Sequence, residues 1–481
     1  MNKHTINHLT VSVALSLVCS GALAHSLYWT GETDNIWSKA ANWYNKDTGK
    51  VAGSFPGIPN LYDHLAYFDQ TLADGVSEIK QRTVVFETAE LMRGSVYIYD
   101  GTMADPIVFS ASDNYGLSIT NSAKRFWIGS DDGSKPGWLK MQGGSFSSNP
   151  ELKINNGGWI VDGGASFSTT NHISVGAIAN CNATAVFNDG AITLTKSGNQ
   201  NCNFIIGNAS GAVGVVTNAG ATITVGNSLQ LGNAASSGAH YVQSGGRLDI
   251  NNRLTVGGNT SSADNLFELT GGEVVLGQLF LLDNASFLLK GGSVSFTSIG
   301  SGGGSKENEF VFDGGTYITK QSQNYAPFPS GNFKSLKVGA NGGTIDTATY
   351  GITITHAFES GVESGTDGGM KFTGGGSASI TGAIDYTGPT TVELGTVVTI
   401  ADRANIFGEG KGGLCCSLPN PKPEGNEYIP VLTTTGENDF TASDLTKCAA
   451  AEGTGAILFK ISDGGKSIMA KRSNGLIISF H

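Results

Sequence analysis

The chain has 481 residues, of which 69 are glycine and 14% are charged, and its formal net charge at pH 7 is −11. Glycine is about twice its usual share of roughly 7%, and charged residues are well below their usual share of about 25%, which indicates a turn-rich β protein with a weakly charged surface. An acidic, lysine-poor surface argues against nucleic acid or anionic lipid as a partner.

The first 24 residues have the pattern of a secretory signal peptide. A short basic start, Met1-Asn2-Lys3, precedes an apolar stretch from Leu9 to Val18 and a small-residue site, Ala22-Leu23-Ala24, so we expect cleavage before His25. A lipoprotein signal at Cys19 agrees less well with the surrounding residues. Cleavage removes one charged residue, a lysine, so the mature charge is −11 − 1 = −12. We therefore expect a secreted protein, extracellular or at the cell surface, with no membrane span after signal removal.

Residues 25–120 are rich in tryptophan and precede the glycine pattern of the central region. The open end of a solenoid exposes unpaired strand edges and needs a cover. We predict that residues 25–120 form an N-terminal β cap.

Two glycine patterns alternate through residues 121–400. The first is a Gly-Gly or Asx-Gly turn followed by alternating apolar residues, and the second is an apolar-x-apolar-Gly unit. The second glycine of the first pattern falls at Gly144, Gly164, Gly190, Gly220, Gly246, Gly272, Gly292, Gly315 and Gly343. Short alternating runs that repeat every 20 to 30 residues indicate a solenoid with one rung per repeat. We predict an all-β fold, a right-handed parallel β-helix.

Alignment on these glycines predicts which residues share a face. An inward apolar column is expected at Phe146, Phe167, Ile192, Ile223, Leu248, Val274, Val294, Tyr317 and Ile345. A polar turn column is expected two residues before each glycine, Asn218 among its members. Arg247 and Glu273 should lie side by side on adjacent rungs as a surface ion pair, and Asn208, Asn233, Asn259 and Asn284 should form a partial ladder.

The segment from Gly368 to Val398 resembles the autotransporter-associated β-strand repeat, and its turn Tyr386-Thr387-Gly388-Pro389-Thr390-Thr391-Val392 carries the closest similarity. In that family the repeat forms one rung of a passenger β-helix, so the resemblance implies an exported, passenger-like solenoid. The sequence around Trp29, Trp37 and Trp43 is similar to the opening of exported bacterial proteins of this kind. About 80 residues follow residue 400, fewer than a 12-stranded membrane barrel would need at about 10 residues per strand.

Residues 401–481 contain short strand-like runs, and we predict that they form a small C-terminal β cap. Five cysteines follow the signal peptide, at Cys181, Cys202, Cys415, Cys416 and Cys448. In an exported protein, Cys448 with Cys415 or Cys416, and Cys181 with Cys202 across adjacent rungs, are candidate disulfides. The alternative is that all five are buried free thiols.

No catalytic, cofactor or metal motif is found. The six histidines that follow the expected signal peptide are too far apart for a helical zinc motif, and no GxSxG sequence occurs. Carboxylates that converge on one face of a β-helix would be needed for glycoside chemistry. Asp249, Arg253 and Glu268 form one such candidate group, and Asp131 with Asp132 forms another, although solvated turn residues explain both groups as well.

Aromatic side chains are the more credible contacts for a ligand. Trp127, Trp138 and Trp159 lie about one rung apart at the start of the solenoid and are candidates to stack on sugar rings, although a hydrophobic core explains them too. The sequence thus favours a secreted scaffold or adhesin-like protein that binds polysaccharide or cell-surface glycans without catalysis. The alternative is a polysaccharide lyase or glycoside hydrolase on a β-helix fold.

Overall fold

The structure is a computed structural model, and it describes residues 24–56, 63–70, 79–198, 201–258, 263–300, 307–320, 325–420 and 427–473. Residues 1–23 of the expected signal peptide lie outside that part of the chain. Asn259 of the expected asparagine ladder lies outside it too, whereas the Asn233 amide donates to Asn208 Oδ1 at 3.0 Å.

The chain coils into a parallel β-helix, as the glycine patterns predict, and each rung contributes one strand to each of three positions in turn. Within the described ranges, the first sheet has twelve parallel strands, Thr83–Phe86, Ile107–Ala111, Gly137–Gln142, Gly157–Asp162, Asn182–Phe187, Val213–Asn218, Gly238–Gln243, Asn265–Leu269, Ala285–Leu289, Asn308–Phe312, Ser335–Val338 and Phe358–Ser360.

The second sheet carries the strands that follow the glycine turns of the first pattern, together with the corresponding strands of the rungs before and after them. Its strands are Ala89–Met92, Gly116–Ile119, Ser145–Ser148, Ser166–Thr169, Ala191–Leu194, Thr222–Val225, Arg247–Val256, Glu273–Leu281, Ser293–Ser295, Thr316–Ile318, Gly343–Asp346, Met370–Thr373, Thr390–Glu393, Leu414–Ser417 and Cys448–Ala450.

The third sheet carries the strands that precede the turn into the first sheet. Its strands are Ser26–Trp29, Leu65–Phe68, Ser95–Ile98, Phe126–Ile128, Leu152–Ile154, Ile173–Val175, Phe204–Ile206, Ser228–Leu231, the second halves of Arg247–Val256 and Glu273–Leu281, and Ile299–Gly300. From residue 325 a fourth sheet takes this position in the rung, with strands Tyr325–Phe328, Gly351–Ile354, Ser377–Ile380, Val397–Ile400, Ile429–Thr434, Ile457–Ile461 and Ser467–Arg472.

The predicted inward column is confirmed along its whole length. Phe146 pairs with Phe167, and the pairing continues rung by rung to Ile345 with no change of register. Every member is at most 3% exposed. Alternation of apolar and polar residues selects this face, since a slip by one residue would turn the whole column outward. The Arg247–Glu273 ion pair on adjacent rungs is confirmed as well.

Glycine is required at the turns that set this register. Gly246 and Gly272 have φ of 64° and 76°, a region that side chains avoid. A Cβ at Gly272 would also come within 2.5 Å of the carbonyl oxygen of Gly246 on the neighbouring rung. The turns therefore stack directly on one another only because they lack side chains.

The expected polar turn column is confirmed at Asn218, whose Oδ1 accepts a hydrogen bond from the Ala221 amide of the turn at 2.9 Å, although the side chain points inward. This residue pairs with Phe187 and Gln243 at an inward position of the first sheet and is fully buried. Its amide donates to Gln243 Oε1 at 3.1 Å, and the Tyr241 hydroxyl donates to the same oxygen at 2.9 Å. These hydrogen bonds satisfy polar groups that would otherwise be costly in the core.

The N-terminal cap is shorter than the expected 25–120. Among the described residues of this region, antiparallel pairing is confined to Trp43–Asn45 with its neighbours Ser26–Trp29 and Lys50–Val51, and parallel rungs begin well before residue 120. The core of the cap contains Trp29, Trp37 and Trp43. Their indole N–H groups donate to the carbonyl oxygens of Gln81, Pro56 and Trp37 at 2.7, 2.9 and 2.9 Å.

At the other end, parallel strands continue past residue 400 before an antiparallel hairpin, Ile457–Ile461 with Ser467–Arg472, covers the last rung. The helices are short: Ala40–Asn42, a 3-10 turn, and Ala404–Phe407 and Ala442–Leu445. Within the described ranges, no helix has the length and apolar character needed to cross a bilayer.

Candidate functional site on the third sheet

The outer face of the third sheet carries a row of aromatic residues at the N-terminal end. Four strands repeat an apolar-aromatic-apolar triplet in which the flanking residues are buried and the central residue points out. The triplets are Leu27-Tyr28-Trp29, Ala66-Tyr67-Phe68, Val96-Tyr97-Ile98 and Phe126-Trp127-Ile128. The central residues pair in register, so the four rings form one continuous row.

The ring geometry follows from the strand spacing. The rings of Tyr28 and Tyr67, and those of Tyr67 and Tyr97, stack with centroids 4.7 Å apart and planes inclined by 13°. Trp127 extends the row edge to face, 5.9 Å from Tyr97. Tyr99 lies beside the row, 5.6 Å from Tyr97. We call Tyr28, Tyr67, Tyr97, Tyr99 and Trp127 the aromatic ladder.

Stacking hides the ring faces of the ladder and leaves an edge towards solvent. Tyr28 and Tyr97 are 7% exposed, whereas Tyr67, Tyr99 and Trp127 are half-buried. Burial, together with Tyr97 and Tyr28, raises the pKa of the Tyr67 hydroxyl well above its usual value, and burial likewise raises the pKa of Tyr99. These hydroxyls therefore stay protonated across physiological pH and are able to donate hydrogen bonds.

Charged groups surround the ladder. The Arg125 guanidinium lies over the Trp127 ring, 4.2 Å from its centroid, and the Lys46 ammonium lies 5.5 Å from the centroid of Tyr28. The Lys135 ammonium contacts the largely buried carboxylate of Asp69 at 2.7 Å. The site thus combines apolar ring edges, hydroxyl donors and an exposed guanidinium on one flat surface.

The structure separates the three tryptophans that we considered as glycan contacts. Trp127 belongs to the ladder. Trp138 lies half-buried on the outer face of the first sheet, where its ring covers Gly158. Trp159 is fully buried and packs against Phe167 and Phe187, each 5.1 Å away between centroids, so it belongs to the core.

The first candidate carboxylate group does not converge. Asp249 lies in the second-sheet half of its strand and pairs with Arg247 at 2.8 Å, whereas Glu268 lies on the first sheet and pairs with Lys290 at 2.8 Å. Arg253 lies in the third-sheet half, paired with Ser228. The three side chains therefore belong to three different faces of the solenoid.

The second candidate pair has two unrelated roles. Asp132 closes a turn, since its carboxylate accepts from the Ser130 hydroxyl at 2.5 Å and the Ser134 amide at 2.9 Å. These hydrogen bonds lower the pKa of Asp132. Asp131 is exposed, and its charge acts on Tyr67 and Tyr99, so it belongs to the rim of the ladder.

An acidic cleft of about 190 Å³ that we did not predict lies at the first sheet, beside Asp264, Glu307 and Glu309. Glu309 pairs with Lys337 at 2.7 Å, and Glu307 pairs with Lys334. Because a lysine neutralises each glutamate, the cleft does not present the pair of differently tuned carboxyl groups that glycoside hydrolysis uses. Within the described part of the chain, no group of three or more His, Cys, Asp or Glu side chains is placed to hold a metal ion.

The five cysteines that follow the expected signal peptide are free thiols in this structure. The expected cross-rung pair is not formed because the two residues lie at different corners: Cys181 precedes a first-sheet strand, and Cys202 precedes a third-sheet strand. Cys448 lies in the strand next to Cys415 and Cys416, yet it pairs in register with Leu414. Burial raises the pKa of both Cys416 and Cys448 to about 12, which keeps these thiols protonated and poorly reactive.

Comparison with protein-family models, with curated proteins and with solved structures finds no match for this chain. The surface geometry is therefore the basis for a functional assignment.

Proposed function

We propose that this protein is an exported β-helical scaffold that binds glycans through the aromatic ladder and acts by display or adhesion rather than by catalysis. The N-terminal signal pattern and the resemblance to autotransporter passengers motivate a secreted or cell-surface location. The ladder is the observation that carries the proposed ligand class.

The chemistry of the ladder suits a sugar polymer. A pyranose ring presents C–H patches and hydroxyl groups together, and tyrosine and tryptophan present an apolar body with a polar tip. Tyrosine rings repeat at 4.7 Å along the row, so the surface is a strip and not an enclosed pocket. A strip contacts several units of a chain at once, which favours an extended glycan over a single sugar.

The dispersed carboxylates support binding rather than bond cleavage. Asp249 and Glu268 each pair with a basic residue on separate sheets. The general acid and the nucleophile or base of a glycosidase would have to flank one bond. No described feature favours the enzymatic alternative over the binding one.

The test is a panel of soluble polysaccharides, with affinity measured by biolayer interferometry for the wild type and two variants. Trp127→Ala removes the exposed end of the ladder, and we expect it to weaken binding at least 10-fold because aromatic anchors dominate such contacts. Trp138→Ala is the matched control, since that ring is also half-buried but lies on the first sheet. We expect the control to bind as the wild type does.

Equal affinity of Trp127→Ala and the wild type for every bound polysaccharide would contradict the proposal. The same incubations, analysed by mass spectrometry, should yield no soluble sugar fragments. Fragments from any one substrate would overturn the binding-only assignment and favour the enzyme.

A further inference from the structure

We propose that the third sheet holds a second subsite at Arg253 and Phe280, and that both subsites bind one linear polysaccharide chain that carries anionic groups. This inference rests on the proposed function and specifies its ligand.

The outer row continues beyond the ladder without a break. In-register pairs connect Trp127 through Lys153, Ser174, Ile205, Gln230 and Thr255 to Phe280. Five strand spacings of about 4.8 Å place Thr255 about 24 Å from Trp127 along the solenoid axis. The ladder and the distal residues therefore lie on one straight face.

A cleft of about 190 Å³ lies at the distal end of this face, and its lining includes Gln230, Asn233, Arg253 and Thr255. These side chains supply amide, hydroxyl and guanidinium groups, which are the donors and acceptors that a glycan requires. The Thr255 hydroxyl oxygen is buried and has no hydrogen-bond partner in the structure. An unsatisfied buried hydroxyl is costly, so its presence in the floor of a polar cleft points to a ligand or water partner.

Arg253 repeats the arrangement seen at the ladder. Its guanidinium lies 5.5 Å from the centroid of the Phe280 ring, as the Arg125 guanidinium lies over Trp127. Both arginines are exposed, and among the described residues neither forms a salt bridge. The chain as a whole has a net charge of −11. These two arginines nevertheless lie on aromatic rings of one face without a carboxylate partner among the described residues, so they are available to bind anions.

Guanidinium groups bind planar carboxylates and sulfates through paired N–H donors. Two such groups at opposite ends of a straight face match a chain with repeated anionic substituents. Simultaneous contact raises affinity through effective concentration, by about 10²- to 10⁴-fold when the spacing allows it.

The experiment measures affinity by isothermal titration calorimetry with oligogalacturonates, as a trimer and as a dodecamer. We expect the dodecamer to bind the wild type at least 100-fold more tightly than the trimer does. The methyl-esterified dodecamer, which is neutral, should lose most of this increase in affinity. Raising the salt concentration should weaken dodecamer binding because it screens exposed charges. A sulfated galactan of the same lengths forms a second arm, and the tighter arm identifies carboxylate or sulfate as the preferred group.

Two variants and one control locate the effect. Arg253→Gln should reduce dodecamer affinity at least 10-fold and leave trimer affinity unchanged. Thr255→Val should also weaken the dodecamer while its melting temperature stays equal or rises, because the valine removes an unsatisfied hydroxyl. Lys371→Gln makes the same charge change at an exposed position of the second sheet and should have no effect.

Length-independent binding, or equal dodecamer affinity of Arg253→Gln and the wild type, would overturn the second subsite. If either result is obtained while oligosaccharides still bind at the ladder, the proposed glycan binding stands. In that case only the proposal that the ligand is an extended anionic chain is wrong. Absence of binding to every oligosaccharide and polysaccharide would contradict both.

Discussion

Asp367 illustrates how one buried carboxylate holds a turn in place. Its oxygens accept hydrogen bonds from the amides of Thr387, Gly388 and Gly369 at 2.7, 2.8 and 3.0 Å. Thr387 and Gly388 belong to the turn that resembles the autotransporter-associated repeat. Asp367, twenty positions before Thr387, therefore fixes that turn. A motif confined to the turn does not include this residue.

We predict that Asp367→Asn lowers the free energy of unfolding by about 2 kcal/mol at pH 7, because hydrogen bonds to a charged group are lost. Burial raises the pKa of Asp367, but the backbone hydrogen bonds lower it by more, so the pKa lies below its usual value. A depressed pKa stabilises the fold above the unfolded pKa of about 3.9, and this contribution disappears as the pH falls through the lower folded value.

Urea unfolding at pH 7 and in the acid range measures both effects. The free energy of unfolding of the Asp367→Asn variant should fall less between pH 7 and the acid range than that of the wild type, because the variant lacks the contribution of the Asp367 carboxylate. Asp385→Asn is the control, because that carboxylate is 67% exposed, and it should change stability by less than about 0.5 kcal/mol. Equal stability of the Asp367 variant and the wild type would show that the turn does not depend on this carboxylate.

The stacked columns determine stability at the level of the strands. We predict that Leu248→Asp destabilises the protein by several kcal/mol, because Leu248 is fully buried between Ile223 and Val274 and the substitution places an unpaired charge there. Thr193→Asp on the outward face of the same sheet is the control, with an expected change within about 0.5 kcal/mol. Thermal unfolding followed by circular dichroism compares them, and similar melting temperatures would refute the inward assignment.

The inward column was predictable because each of its members follows a glycine of the first pattern by two or three residues, which sets the phase of the alternation. The aromatic ladder was not predicted, since Tyr28, Tyr67, Tyr97 and Trp127 are separated by 39, 30 and 30 residues with no shared turn. A signal was present in the apolar-aromatic-apolar triplets, which repeat four times. Recognition of the ladder required the pairing of strands across loops of unequal length.

Asn218 demonstrates a second limit. Its spacing from Gly220 matched the polar turn column, yet it occupies an inward position opposite Phe187. Its amide donates to Gln243 Oε1 on the next rung, and the Tyr241 hydroxyl donates to the same oxygen. The spacing predicted the hydrogen bond to the Ala221 amide in the turn, whereas the pairing with Gln243 depends on the stacking of the rungs and could not be read from local spacing.

For the molecule as a whole, each rung stacks on its neighbours, and the caps cover the two ends. The tryptophan cluster covers the first rungs, and an antiparallel hairpin covers the last. Between them the third sheet presents one straight outer face that begins at Tyr28 and reaches Phe280. In-register strand pairing sets the spacing of the contacts along this face, and preformed contacts lower the cost of ordering the protein when a chain binds.

The central claim is that this outer face is the ligand surface, and carbene footprinting with mass spectrometry tests it most directly. The protein is labelled with and without the tightest-binding polysaccharide of the panel. We predict reduced labelling at Tyr67, Trp127 and Arg253, with Trp138 on the first sheet unchanged. Protection confined to the first or second sheet, or no bound polysaccharide at all, would contradict the account.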